Sequence, residues 1–259
     1  MNIEYDHAKS PHTLEGPQAA LRLLFPEGVP QSILDVGCGT GTWLRAALES
    51  GVKDVFGIDG IDIPTEKLHF SPEFFKVCDL TSQIDLNRRF DAVFCFEVAE
   101  HLDAEFAPTL IQNLTKHSDH IYFSAACPDQ FGQHHVNCQW PEYWQELFNN
   151  YGFICEDSLR WRILGVEEIE PWYRQNMFFA RKDTNQAGKE PRIPGIIHSK
   201  MYVSRSEVIG QVTPEIRTDQ IYQIRNGFMP AKWYLETTFL AFRSKIKRAF
   251  DKKLGLSQS

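Results

Sequence analysis

Ile33 to Trp43, ILDVGCGTGTW, is the stretch on which the reading of this 259-residue chain turns. An apolar run ends in Asp35, glycines follow at 37, 39 and 41, and a helix-like run begins at Thr42. A strand that turns sharply into a helix brings backbone N–H groups close to a ligand, and only glycine lets the ligand come that near. The spacing narrows the ligand. The dinucleotide fingerprint G-x-G-x-x-G would need glycine at 42, where this chain has threonine, so a dehydrogenase is not expected.

Outward from that loop, short apolar runs alternate with amphipathic stretches from about residue 31 to 182, the pattern of repeated βα units around a largely parallel sheet. Strands are expected at Ser32 to Val36, Asp54 to Ile58, Phe74 to Val77, Asp91 to Phe96, His120 to Ser124, around Ile154 to Ile163 and around Asn176 to Arg181. Trp140 to Tyr151 reads as a helix with Pro141 in its first turn and Gly152 as its stop. Another helix is expected over Gln18 to Phe25, so residues 1–30 form a helix with a lid-like segment before it, in which His7 and His12 are read as solvated. Residues 183–195 carry two prolines and two glycines without periodicity and read as a linker. Residues 196–259 form a C-terminal appendage that closes in a basic amphipathic helix.

Composition bounds the function. With 42% hydrophobic and 24% charged residues the chain folds as an ordinary globular protein. Its 27 basic against 34 acidic residues, net charge -7, argue against a protein built to grip nucleic-acid phosphates. The six cysteines have no C-x-x-C pairing, which fits free thiols in a reduced, cytoplasmic chain. No export signal or membrane span is read.

Two more carboxylates follow the glycine loop in order. Asp59 ends the next strand, positioned to accept both hydroxyls of a ribose, with Gly60 beside it; Asp79 and Leu80 follow the third strand, on the adenine side. With these motifs the chain resembles the class I S-adenosylmethionine-dependent methyltransferases over roughly residues 30 to 182. DVGCGTG matches their glycine motif and FDAVFCFEVAEHL their fourth-strand motif. The resemblance implies a Rossmann-like α/β fold, a seven-stranded mostly parallel sheet flanked by helices. It also implies S-adenosylmethionine as cofactor, with Asp35, Gly37, Cys38, Gly39, Gly41, Asp59, Gly60, Asp79, Leu80 and Phe96 around it. Residues 129–153 are similar to the G-H-x-N and P-x-x-W-x-x-x-F signature of a bacterial O-methyltransferase branch of surface-glycan and natural-product pathways.

The reacting end is read from the fourth strand, which closes in Glu97, Glu100 and His101. Two carboxylates and an imidazole there furnish ligands for a divalent cation, with a further ligand from the His134–His135 segment after strand five, His135 by preference. The array resembles those of the small-RNA 3′-end 2′-O-methyltransferases and the ubiquinone-pathway O-methyltransferases, and it leaves Mg²⁺, Mn²⁺ and Zn²⁺ open. The alternative has His135, or His134, acting as general base with Glu100 and no metal. Trp140, Tyr143, Trp144, Trp161, Trp172 and Tyr173 divide between an acceptor pocket and the core, with most assigned to the core.

The function expected is O-methylation of a saccharide, lipid-linked glycan or natural product. An RNA ribose 2′-O-methyltransferase and a non-catalytic S-adenosylmethionine-binding module stand as alternatives. Between Arg243 and Lys253 six basic residues meet one acidic, which suggests peripheral contact of residues 240–254 with an anionic membrane, at the inner face of the cell membrane.

Overall fold

The computed structural model describes residues 13–201. Helices and strands alternate as the apolar runs do. In chain order they are α1 (Glu15–Leu24), β1 (Ser32–Val36), α2 (Thr42–Glu49), β2 (Asp54–Asp59), β3 (Phe75–Val77), β4 (Ala92–Phe96), α3 (Ala107–His117), β5 (His120–Ser124), α4 (Pro141–Asn150), β6 (Phe153–Glu156), α5 (Ser158–Ile163), α6 (Pro171–Asn176) and β7 (Phe178–Lys182). The strands form one seven-stranded sheet in the order β3-β2-β1-β4-β5-β7-β6. All neighbours are parallel except β7, which runs antiparallel to both β5 and β6.

The central strands are buried on both faces, which is why they read as continuous apolar runs rather than as alternating ones; every residue of β4 is buried. One face carries a core of Leu34, Val93, Leu110, Ile121, Phe148 and Phe153. The other packs Leu21, Ile33, Leu44, Phe94, Ile163 and Met177. From β1 the order runs one way through β2 to β3 and the other way through β4 to β5. The two directions diverge between β1 and β4, and the crevice outside the carboxyl ends of such strands is where open α/β sheets bind ligands.

Two expectations change. The strand expected over residues 154–163 ends at Glu156, and Ser158–Ile163 is helical. The turn is dictated by Asp157, whose Oδ2 accepts from Arg160 Nη2 at 2.5 Å and Trp161 Nε1 at 3.0 Å. Partners three and four positions on are within reach only on a helix. Residues 183–195, read as a linker, are packed onto the domain: Ile193 is buried, and its N–H donates to Gln145 Oε1 at 2.9 Å. Gln145 Nε2 in turn donates to Glu190 Oε1 at 2.9 Å and to the Pro191 carbonyl at 3.0 Å. Such a segment shows no periodicity because its polar groups are satisfied by the side chains of another element.

Candidate functional site

At the carboxyl ends of β1, β2 and β4 opens a cavity of about 660 Å³. Its floor is the glycine loop. Gly37, Gly39 and Gly41 all have positive φ, of 78°, 51° and 81°. The loop is tied to β2 by Gly37 and Cys38, whose N–H groups donate to the Ile58 carbonyl at 2.8 and 3.1 Å. Gly37, Cys38 and Gly39 line the cavity, whereas Gly41 is not among its lining residues. A Cβ on Gly41 would strike the Phe70 ring, so this glycine is required by packing as well as by its left-handed φ.

Asp59 is buried at the tip of β2, where Oδ2 accepts from Gly39 N–H at 2.8 Å and Oδ1 from Ile61 N–H at 2.9 Å. It therefore fixes the glycine loop while facing the cavity. Asp35, Gly60, Asp79, Leu80 and Phe96 line the same cavity. Asp79 is exposed and closes a turn, its Oδ1 accepting from Thr81 N–H at 3.0 Å and Thr81 Oγ1 at 2.6 Å. Those bonds, the hydroxyl first, hold its carboxyl below the usual range. Asp35 goes the other way. Burial, with the Asp59 charge adding to it, pushes its carboxyl up to about 8.

At the other end β4 stops at Phe96, and Glu97 takes a left-handed φ of 54°, costly for a residue with a side chain. Its carboxylate accepts from Gln130 Nε2 at 2.7 Å and from Asn176 Nδ2 at 3.2 and 3.4 Å. Glu100 and His101 follow in one 3-10 turn, Ala99–His101. Glu100 has no solvent exposure, and its carboxyl lies in hydrogen-bond contact with that of Glu97. Burial and the neighbouring Glu97 raise its carboxyl well above the usual range.

The loop after β5 returns over this turn because the N–H groups of Val136 and Asn137 donate to the Glu100 carbonyl at 2.9 and 3.0 Å. That delivers His135 to His101, ring centroids 5.0 Å apart. His135 Nδ1 faces the Gln130 carbonyl at 2.9 Å and His101 Nδ1 the His134 carbonyl at 3.3 Å. A carbonyl can only accept, so His135 carries hydrogen on Nδ1 and keeps Nε2 as the acceptor atom, while His101 is held by the backbone of both His134 and Gln133. Burial, with His135 beside it, lowers His101 to about 4, and burial lowers His135 too. Glu100, His101 and His135 each place one potential metal-ligand atom within 4.8 Å of the others.

Glu97 and His134 stand apart from that group. Glu97 lines the cavity but is engaged by the two amides, and the exposed His134 contributes its carbonyl rather than its ring. Of the aromatics singled out in the sequence, Trp172 and Tyr173 line the cavity, Trp144 is core and Trp161 is exposed. Among residues 13–30 none lines it; α1 packs against the sheet instead, with Thr13 Oγ1 donating to Glu170 at 3.1 Å. His7 and His12 lie outside the described residues. Sequence reading missed Trp43, Gln130, Phe131 and Met201 as lining residues and Asn176 as the partner of Glu97. Gln130 lies in the 129–153 stretch without being one of its signature residues, Asn176 lies in no motif, and only the fold brings them together.

A family model described as a methyltransferase domain matches residues 12–165. No curated protein matches the chain. Among solved structures, the sugar N-methyltransferase KedS8 from Streptoalloteichus sp is 15% identical, over 71% of this chain and 97% of that one, with a TM-score of 0.49. CalS10, an amino pentose methyltransferase from Micromonospora echinaspora, is 14% identical over 70% and 99%, with a TM-score of 0.47. Streptomyces venezuelae DesVI is 21% identical, with a TM-score of 0.39; the match covers 50% of this chain and 62% of the length of DesVI. Likenesses of this degree say nothing about the acceptor.

Proposed function

The chain belongs to the methyltransferase-domain family, the Rossmann-like S-adenosylmethionine-dependent enzymes, and on that premise we propose that it transfers the methyl group to a hydroxyl of a saccharide, lipid-linked glycan or natural product. What supports oxygen as the acceptor atom is the grouping of Glu100, His101 and His135 at one end of the cavity. Transfer from a sulfonium is an in-line displacement: the oxygen–carbon bond forms as the carbon–sulfur bond breaks, and the hydroxyl proton must leave. A neutral imidazole with Nε2 as acceptor is suited to take that proton, and His135 is the side chain assigned to it.

The same three side chains fit a divalent cation. A buried carboxyl beside two imidazoles, each offering one ligand atom to the same point, is a ligand set suited to a positive charge. One oxygen and two nitrogen donors suit Mn²⁺ or Zn²⁺ better than Mg²⁺. Bound there, such an ion supplies a lowered pKa to a coordinated hydroxyl. Gln130 and Glu100 hold His135 and His101 in place through their backbone carbonyls and the returning loop in either case.

The test is release of S-adenosylhomocysteine during a screen of sugars, glycolipids and phenols, with short RNA included, before and after exhaustive chelation. Loss of activity on chelation together with loss in Glu100→Ala supports the metal. Activity that survives chelation but falls about 10² to 10⁴-fold in His135→Ala supports the base. Turnover with none of these acceptors counts against the reading and favours a cofactor-binding module.

Among the described residues no helix is long and apolar enough to cross a membrane. Residues 240–254 lie outside the described residues, and their docking on an anionic membrane face is part of this proposal. Equal pelleting with anionic vesicles with and without residues 240–259 would remove it.

A further inference from the structure

Gln175, in α6, is buried, and its side chain is where α6, the loop after β5 and residues 196–201 meet. Its Oε1 accepts from His198 N–H at 2.7 Å. Its Nε2 lies 3.0 Å from Cys127 Sγ, 3.1 Å from Asn176 Oδ1 and 3.4 Å from Gln130 Oε1, and with two hydrogens to give it serves two of these at a time. Cys127 and Gln130 are the ends of a single turn, closed by the Gln130 N–H donating to the Cys127 carbonyl at 3.0 Å. Within that turn Asp129 takes a left-handed φ of 68°, a conformation that persists only where its neighbours over-determine it. The Gln175 amide reaches the turn at both ends, and Asn176 Nδ2, 2.8 Å from Gln130 Oε1, adds a donor from the same helix.

The turn matters for what leaves it: the Gln130 carbonyl is the group that His135 Nδ1 faces at 2.9 Å. Cys138 Sγ stands 3.7 Å from the same nitrogen, so a carbonyl that drifts leaves Nδ1 to a weaker partner and frees the ring to change tautomer. We infer that Gln175 is a positioning residue for methyl transfer. It does not line the cavity; it fixes the carbonyl that holds the His135 ring with Nε2 free of hydrogen. The inference rests on the reading of His135 as the base or metal ligand. Misplacing a reacting group by about 1 Å can cost about 10²-fold in rate, so a residue that only holds the loop still governs turnover.

The test reads the ring itself. Nitrogen-15 spectra of the histidine side chains are recorded near neutral pH, with chelator present, for the native protein and for Gln175→Met, which keeps the length and loses both donor and acceptor. His135→Gln assigns the His135 signals. His117, held by the Asn113 carbonyl at Nδ1 and the Leu86 N–H at Nε2, is the control. Native His135 is expected as the Nδ1–H tautomer. In Gln175→Met its signals should move toward those of a tautomer mixture, while His117 stays put and S-adenosylmethionine affinity by calorimetry stays within about twofold. Gln130→Met, which leaves the carbonyl and removes its side-chain anchor, should move the His135 signals likewise and serves if the first variant does not fold. With an acceptor from the screen, kcat of Gln175→Met should fall about tenfold at an unchanged KM for S-adenosylmethionine. Unchanged His135 signals in a folded variant, a native His135 that carries hydrogen on Nε2, or a His117 that shifts as far as His135 overturns the positioning role. Full turnover in His135→Ala overturns the function assigned to that ring and leaves the tautomer result standing.

Discussion

Asn176, in the last turn of α6, donates through one side-chain nitrogen to both carboxylate oxygens of Glu97, at 3.2 and 3.4 Å, across 79 positions of sequence. The same nitrogen donates to Gln130 Oε1 at 2.8 Å, and Gln130 Nε2 donates to Glu97 at 2.7 Å. Three elements meet there: the end of β4, the loop after β5 and α6. The strained backbone of Glu97 persists because this clamp over-determines it.

Asn176→Ala should therefore do more than delete a surface contact. Removing a donor from a half-buried carboxylate costs up to about 1–3 kcal/mol, and it should push the Glu97 carboxyl further above its already raised position. Denaturant unfolding reads the first effect. A midpoint unchanged from the native protein would show that Glu97 does not depend on this bond.

Asp59→Ala should weaken S-adenosylmethionine about ten- to a hundredfold, the loss expected for charge-assisted hydrogen bonds worth roughly 1.5–3 kcal/mol. It also releases the Gly39 and Ile61 N–H groups, so part of the loss should come from a looser glycine loop. Calorimetry measures the affinity, and hydrogen exchange at residues 37–41 isolates the loop component. Unchanged affinity would unseat Asp59.

Two glycine substitutions should separate site from scaffold. A Cβ on Gly132 lands on the His135 ring, whereas one on Gly41 lands on Phe70 at a φ of 81°. Gly132→Ala should displace the imidazole and depress turnover with little change in thermal stability. Gly41→Ala should destabilise the fold by at least about 1 kcal/mol through backbone strain and overpacking. The reverse pattern in melting temperatures would contradict the packing described.

Asp35 gives a pH dependence of definite sign. Its carboxyl is raised from 3.8 to about 8 by burial first and the Asp59 charge second. Between those values the folded state binds a proton that the unfolded state has lost, so the contribution to stability is present at low pH and falls as pH rises from about 4 to 8. Above 8 both states are ionised and the loss is complete, on the order of 6 kcal/mol. Asp35→Asn should flatten this part of the ligand-free stability profile; a profile identical to the native one would rule Asp35 out as its source.

The alternation of apolar runs and the glycine motif were enough to read the sheet, because strands buried on both faces must be continuously apolar and a loop that nears a ligand must be glycine. Asp35, Gly37, Asp59, Glu97, Glu100 and His101 were legible for the same reason: each lies within a few residues of a strand end, and strand ends of an α/β sheet converge. What Ser158–Ile163 would become was not legible, since a six-residue helix with Leu159 and Ile163 turned inward has the same short apolar look as a strand. Nor was the fate of residues 183–195, whose order comes from Gln145 rather than from their own pattern. The tertiary structure alone decided which partners these acids have. Asn176 and Gln130 reach Glu97 over long sequence separations, while Glu100, three residues further on, meets no amide and lies against the Glu97 carboxyl instead. Sequence sets what each residue can offer to its neighbours, but a hydrogen bond needs two groups within about 3 Å, and only the packed chain determines which groups those are.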